Sequence, residues 1–267
     1  MTADFERRFG GLRRLYGSAG AQAIFDSHVV VVGVGGVGSW AAEAVARSGV
    51  GRITLIDLDN VSESNINRQL HALGATVGQA KVTALHQRLS DINPQCQFTL
   101  VEDFLTPENL TDLLGAQTPG GVLPAVVDAC DQMRTKVALA AWALKTGALL
   151  VSVGAAGGKS QPQAVEVGLL SDVTHDPLLA QVRYRLRKHH GAAKAGRIPL
   201  TCVFSREAVS SPQVECELGT ENDGSLNCHG YGSVVTVTAT FGLVAAGHLL
   251  NSLAKQNFLK NLPTSKK

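Results

Sequence analysis

The strongest constraint in this chain is a run of four valines that ends in a cluster of glycines. His28 to Val32 reads HVVVV and is followed at once by Gly33, Gly35, Gly36 and Gly38 in a G-x-G-x-x-G frame. Branched side chains are stiff at χ1 and suit a strand buried on both faces. Glycines between such a strand and a helix let bare backbone amides approach a phosphate at the positive helix end. A tight strand-to-helix turn without a ligand asks for the same residues, so the motif alone leaves both readings open. Asp57 tips the balance toward a nucleotide, because it ends the next strand, where a carboxylate accepts hydrogen bonds from ribose hydroxyls. Asp59, two residues on, shares that role or is a surface aspartate.

Strand and helix patterns alternate through the first half of the chain. Strands are expected at 28–32, 52–56, 97–101, 125–129 and 148–153, and helices at 5–26, 41–47, 80–89, 107–114 and 135–145. This order predicts an α/β fold: a doubly wound, Rossmann-like, mostly parallel sheet with helices on both faces. The alternation breaks after Gly154. Residues 1–153 are therefore expected to form the nucleotide-binding domain with a helical lead-in. Residues 154–267 are expected to form a smaller, substrate-facing C-terminal subdomain of the same unit, also carrying dimerisation. Residues 210–230 read as a polar loop. Residues 234–253 form an apolar stretch short for a membrane span and interrupted by Thr, Gly and His248, expected as a buried or dimer-interface helix.

Composition removes several classes of function. With 24 basic and 22 acidic residues the net charge is only +2, so any nucleic-acid surface has to be local. The five cysteines contain no C-x-x-C pair, which argues against a disulfide framework and a four-cysteine zinc site and favours reduced thiols in the cytoplasm. The charged N-terminus has no apolar signal run.

Cations follow the nucleotide motif. Asn65-Ile66-Asn67-Arg68-Gln69 lies beyond the second strand, and Lys81 opens the next helix. Arg68 offers a planar fork and Lys81 a point charge for phosphoryl oxygens, which points to a triphosphate, ATP, rather than a nicotinamide dinucleotide. Val126-Val127-Asp128-Ala129-Cys130-Asp131 ends a strand with two carboxylates at the edge where open α/β sheets bind ligands. Asp128 is expected at the nucleotide. Asp131 is expected either to hold Mg2+, an ion that commonly takes only one or two protein carboxylates, or to cap the following helix.

These pieces resemble the ubiquitin-activating-enzyme-like adenylating enzymes, including the bacterial activators of sulfur-carrier proteins. The matching segments are GVGGVGSW (33–40), IDLDNVSESNINRQ (56–69), VGQAKV (77–82), INP (92–94) and DACD (128–131). The resemblance implies Asp57 as the ribose ligand, Asn65, Arg68 and Lys81 at the phosphates, and Asp131 on the magnesium side. Further segments, RRFGGLRRLYG (7–17), GSWAAEAVARSGVG (38–51), DPLLA (176–180), TCVFSREAV (201–209) and TVTATFG (236–242), are similar to the tRNA threonylcarbamoyladenosine dehydratase branch. That branch uses ATP to adenylate and cyclise a threonylcarbamoyl side chain on tRNA. The likeness implies a homodimer in which an N-terminal arginine, Arg8 or Arg14, reaches the partner's ATP site. It also suggests sulfur-transfer or cysteine-desulfurase proteins as partners, and activation of a ubiquitin-like or sulfur-carrier protein is the alternative activity.

Two departures bear on mechanism. The paired C-x-x-C motifs of the sulfur-carrier activators are missing, and no cysteine lies between Asp131 and Thr201, so a thioester at the usual position is excluded. Cys202 and Cys228 remain as thiols with either a structural or a catalytic reading. Residues 183–197 carry Arg183, Arg185, Arg187, Lys188, Lys194 and Arg197 without an acid. They fit a tRNA-backbone footprint or a solvated helix face.

Overall fold

The computed structural model describes residues 4–115, 122–210 and 231–260. The chain enters through two short helices, α1 (Phe5–Phe9) and α2 (Gly11–Phe25). It then runs β1 (His28–Val32), α3 (Gly38–Arg47), β2 (Arg52–Ile56), α4 (Lys81–Ile92), β3 (Gln97–Val101), α5 (Leu110–Gly115) and β4 (Ala125–Asp128). The remaining elements are α6 (Met133–Thr146), β5 (Leu150–Val153), β6 (Val165–Leu169), α7 (Pro177–His189), β7 (Thr201–Ser205) and α8 (Val235–Lys260).

Seven strands form one sheet in the order β3-β2-β1-β4-β5-β7-β6, parallel except for the antiparallel β6–β7 pair at one edge. Because β1 lies between β2 and β4, successive crossovers leave it in opposite directions. The crevice of a doubly wound sheet opens at such a switch, outside the carboxyl ends of the strands.

The valine run supplies both cores. Val29 and Val31 enter one hydrophobic cluster with Ile24 of α2, Val45 of α3, Leu85 of α4 and Phe241 of α8. Val30 and Val32 enter the other with Leu114 of α5, Leu139 of α6 and Val182 of α7. None of the four is more than 2% exposed. Deleting any one side chain forfeits roughly 1.5–3 kcal/mol of apolar burial before any cavity cost.

The first three strands lie where the sequence places them. β4 ends at Asp128, one residue short of the expected 129, and α6 starts at Met133 rather than 135. The lead-in is two helices, and α2 itself is broken at Gly17 (φ 71°, ψ 166°), a left-handed conformation that suits glycine. Beyond Gly154 the sheet continues: β7 pairs with β5, so the division at 153/154 falls between hydrogen-bonded strands. The segment 235–255 of α8 is long and apolar enough to cross a membrane, but half of its apolar window is buried against the protein, on α2 and α3 in particular. Residues 211–230, including Cys228, lie outside the described residues.

Candidate active site

A cavity opens at the carboxyl edge of the sheet. Gly33, Gly35 and Gly36 form its floor, Asp57, Arg68 and Lys81 one flank, and Cys130, Asp131 and Gln132 the other. Gly33 has φ 79°, and a Cβ there would meet the Cys130 backbone at 3.0 Å. A Cβ at Gly38 would overlap the Gly33 carbonyl oxygen. Gly38 does not line the cavity; its place is the tight start of α3.

Asp57 is fixed by the turn it serves. Its Oδ2 accepts the Val34 N–H at 2.8 Å and its Oδ1 the Asp59 N–H at 3.0 Å. Burial raises its carboxyl above the ordinary range, opposed by the Lys81 charge and these two N–H groups. Lys81 begins α4 with a buried stem, and its Nζ donates to Asp59 Oδ2 at 2.6 Å. Asp59 thus aims Lys81 while also lining the cavity.

Arg68 is held by its own segment. Its Nη1 donates to the Ser64 carbonyl at 2.6 Å and to Asn67 Oδ1 at 3.0 Å. Asn65 organises that turn: its Oδ1 accepts the Ser62 N–H, and its carbonyl accepts the N–H groups of Arg68 and Gln69. It lines an adjoining recess shared with Asp59, Arg68 and Lys81.

The two carboxylates of the β4 exit part company. Asp131 lines the cavity and forms no hydrogen bond or ion pair among the described residues. It does not cap α6, whose N-cap is Gln132. Asp128, expected at the nucleotide, is fully buried and faces away from the cavity. Its Oδ2 lies 2.8 Å from Lys136 Nζ and accepts the Ser152 hydroxyl at 2.7 Å, while Cys130 Sγ donates to Oδ1 at 3.0 Å. Sequence reasoning missed Lys136, although a lysine on the apolar face of a helix, beside Val137, Leu139 and Ala140, was a visible signal. Its Nζ also donates to the Val153 carbonyl at 2.9 Å. Burial works against its charge, but Asp128 and Cys130 outweigh that and raise its pKa. Lys136 therefore ties the ends of β4 and β5 together just below the two loops that line the cavity.

The opposite wall is Gly154 to Gly157, Leu178, Tyr231, Ser233 and Thr238. Asp176 sets it, a residue to which the sequence reading gave no role. Its Oδ1 caps α7 through the Leu179 N–H at 2.9 Å, and its Oδ2 accepts the Ala155 N–H at 2.9 Å. An aspartate before Pro177 is the helix-start signature that betrays it.

Among the described residues the thiols offer no ready nucleophile. Burial pushes Cys202 far above an ordinary thiol, and Cys130 is pushed up by burial and by Asp128. Among the N-terminal arginines, Arg8 donates to the Asp91 and Ile92 carbonyls of its own chain at 2.5 and 2.7 Å. Arg14 is exposed and has no such partner among the described residues. In the basic segment, Arg183 donates to Leu170 and Val173 carbonyls and Arg187 to Ala193, so these two brace the fold.

A doubly wound sheet with a glycine turn, a carboxylate at the end of the second strand and two cations at one crevice defines a nucleotide-binding enzyme of the adenylating kind. The chain belongs to the ThiF family, whose model matches residues 10–266. It is 42% identical over 261 residues to the tRNA threonylcarbamoyladenosine dehydratase of Escherichia coli K12, covering 95% of this chain and 96% of that protein. It is 36% identical over 249 residues to that of Bacillus subtilis 168, covering 92% and 94%. The E. coli enzyme solved in complex with ATP superposes with a TM-score of 0.84 at 41% identity, covering 96% of this chain and 97% of that one.

Proposed function

We propose that this chain is an ATP-dependent tRNA threonylcarbamoyladenosine dehydratase. The observation that carries the reading is convergence: Gly33, Asp57, Arg68, Lys81 and Asp131, drawn from the segments that follow three strands, line one cavity. The strand order gives the nucleotide a direction. Phosphates belong at the β1 turn and ribose at Asp57 on β2, so the base points toward β3, over the exposed Phe104. The substrate carboxylate then enters from the other side, along the Gly154 to Gly157 wall.

An oxygen of that carboxylate attacks the α-phosphorus of ATP, and the bond to pyrophosphate breaks. Arg68, Lys81 and the glycine-turn amides neutralise the charge that builds on the phosphate oxygens. In the resulting mixed anhydride with AMP, the carbamoyl group of the same side chain closes the ring and expels AMP. Because both groups sit on one nucleoside, this step is intramolecular, an advantage on the order of 7–11 kcal/mol in well-oriented cases. Neither step uses an enzyme thiol or a sulfur donor, so the scheme assigns no task to a sulfur-transfer or cysteine-desulfurase partner.

The carboxylate of Asp131 fits Mg2+ arriving with the triphosphate. It is a hard oxygen donor in the cavity with no competing partner among the described residues, where no cluster of three or more His, Cys, Asp or Glu side chains could hold a metal unaided. Bound there, the ion would withdraw charge from the phosphates. In a homodimer Arg14 is the arginine free to reach a partner's site, since Arg8 is engaged at the end of α4. The enzyme acts where tRNA is modified, in the cytoplasm.

Pyrophosphate–ATP exchange tests the reading. Exchange should require threonylcarbamoyl-modified tRNA, and AMP should appear one-to-one with cyclised nucleoside. Exchange driven by a carrier protein ending in Gly-Gly and not by tRNA would replace this function with the alternative.

A further inference from the structure

A second cleft, about 620 Å³, lies at the other end of α6. Its floor is apolar, from Leu110, Ala141 and Pro199; Trp142 forms part of the wall, and Lys145 and Arg197 stand at the rim. Among the described residues no Asp or Glu lines it, although the whole chain has 22 acids against 24 bases. Lys145 and Arg197 are exposed and, among the described residues, form no ion pair or hydrogen bond. They differ in this from Arg183 and Arg187, which are engaged with backbone carbonyls.

Unengaged cations around an indole suit a ligand that is flat and anionic at once. An unpaired nucleotide has that chemistry: its base stacks on an aromatic ring and its phosphate meets the cations. An acidic peptide would satisfy the cations and leave the indole unused. The distance also fits. Thr135 lines the active-site cavity and Lys145 the cleft, ten positions along one helix, or about 15 Å at 1.5 Å per residue. A strand of a few nucleotides spans that gap.

We propose that this cleft binds an unpaired nucleotide of the tRNA whose modified nucleoside occupies the active site. The proposal rests on the function given above, and it assigns RNA grip to α6 and the segment after α7 rather than to the outer face of α7. Trp142 is the stacking platform, and Lys145 and Arg197 hold the flanking phosphates.

The test compares Lys145→Ala/Arg197→Ala, Trp142→Leu and Trp142→Phe with the parent enzyme. The double variant should bind modified tRNA at least 10-fold more weakly, and its log–log salt slope should be about 1.4 units shallower, for two phosphate contacts on a single strand. Trp142→Leu should weaken binding roughly 5-fold to 150-fold, the range for one stacked base, and Trp142→Phe should restore most of it. The effect should fall on KM for tRNA, with ATP affinity and turnover at saturating tRNA retained. In a Trp40→Phe background, a short unstructured oligoribonucleotide should quench Trp142 fluorescence, and polyglutamate should not. Unchanged tRNA affinity and salt slope in the double variant would overturn the proposal, as would equal quenching by polyglutamate, which would mark an acidic protein site. Loss of tRNA-dependent exchange in the parent enzyme would instead overturn the function itself.

Discussion

Two lysine–aspartate pairs sit beyond the ends of β2 and β4, the strands on either side of β1, and they differ in almost everything but chemistry. Lys81 and Asp59 meet at 2.6 Å with the carboxylate 58% exposed, beside the nucleotide cavity. Lys136 and Asp128 meet at 2.8 Å with both side chains at 0% exposure, beneath it. The first pair holds the Lys81 ammonium at the cavity wall against a carboxylate that faces water. In the second, every strong contact of the ammonium is spent on the protein: a carboxylate and the Val153 carbonyl. The same two residue types thus sit at the cavity wall in one place and form a rivet in the other, and the exposure of the carboxylate separates them.

The largest expected effect comes from breaking the rivet. Lys136→Met leaves Asp128 buried without its counter-charge and should cost about 3–5 kcal/mol in urea unfolding, whereas adding Asp128→Leu should recover much of the loss. A single variant as stable as the parent would show that the buried pair carries no such weight. Next is Lys81→Ala, expected to fold normally but to slow pyrophosphate exchange about 100-fold, or ~2.7 kcal/mol of transition-state stabilisation. Arg68→Ala should behave alike, and near-parent exchange rates in both would remove them from the phosphate site.

A smaller effect is expected of Asp59→Asn. The pair it breaks is open to water on its carboxylate side and worth about 0.2–1 kcal/mol, so exchange should fall only a few-fold and the melting temperature should barely move. A collapse in stability would mean that the exposed pair is structural as well.

The smallest effect at neutral pH concerns His71, which is 2% exposed and has no partner at either ring nitrogen among the described residues. Burial, then the Lys81 charge, lower its pKa from 6.5 to about 4. The unfolded chain therefore binds a proton that the folded one refuses, so stability should be lost as pH falls from about 6.5 to about 4. His28, lowered to about 4 by burial and by Arg52, adds to the same slope. Urea midpoints across that window should flatten in His71→Phe, and partly in Lys81→Gln, which removes the cation His71 feels. A slope indifferent to both changes would place acid sensitivity elsewhere.

The comparison also explains what could be read in advance. β1 and β2 were legible because burial on both faces leaves an uninterrupted run of branched residues, and Gly33 to Gly38 because the turn forbids side chains. The edge strand β6 was not, since Glu166 and Gly168 break its apolar pattern. α7 was read as a basic run, although Leu178, Leu179, Val182 and Leu186 keep a helical spacing and are buried. At the β4 exit, Asp128 and Asp131 are chemically alike in the sequence. The strand's pleat and the turn after it send one into the core and the other into the cavity, and no local pattern states which. Asp57, Arg68 and Lys81 could be placed near one crevice because all three follow the second strand, whereas the turn contacts that Asp57 and Asn65 make have no local signature.

The position of α8 has a consequence for how the protein is made. One sheet face is covered by this helix, which packs on α2 and α3, elements from the opposite end of the chain. Every described strand leaves the ribosome before Val235 does. The nascent chain must therefore hold Val29, Val31 and Val45 with part of their cover missing while the rest is synthesised, at roughly 5–20 residues per second. During that interval the newborn protein presents a sticky surface that only its own last helix is shaped to hide, so a stall or truncation ahead of α8 should yield a product that chaperones retain instead of a smaller working enzyme.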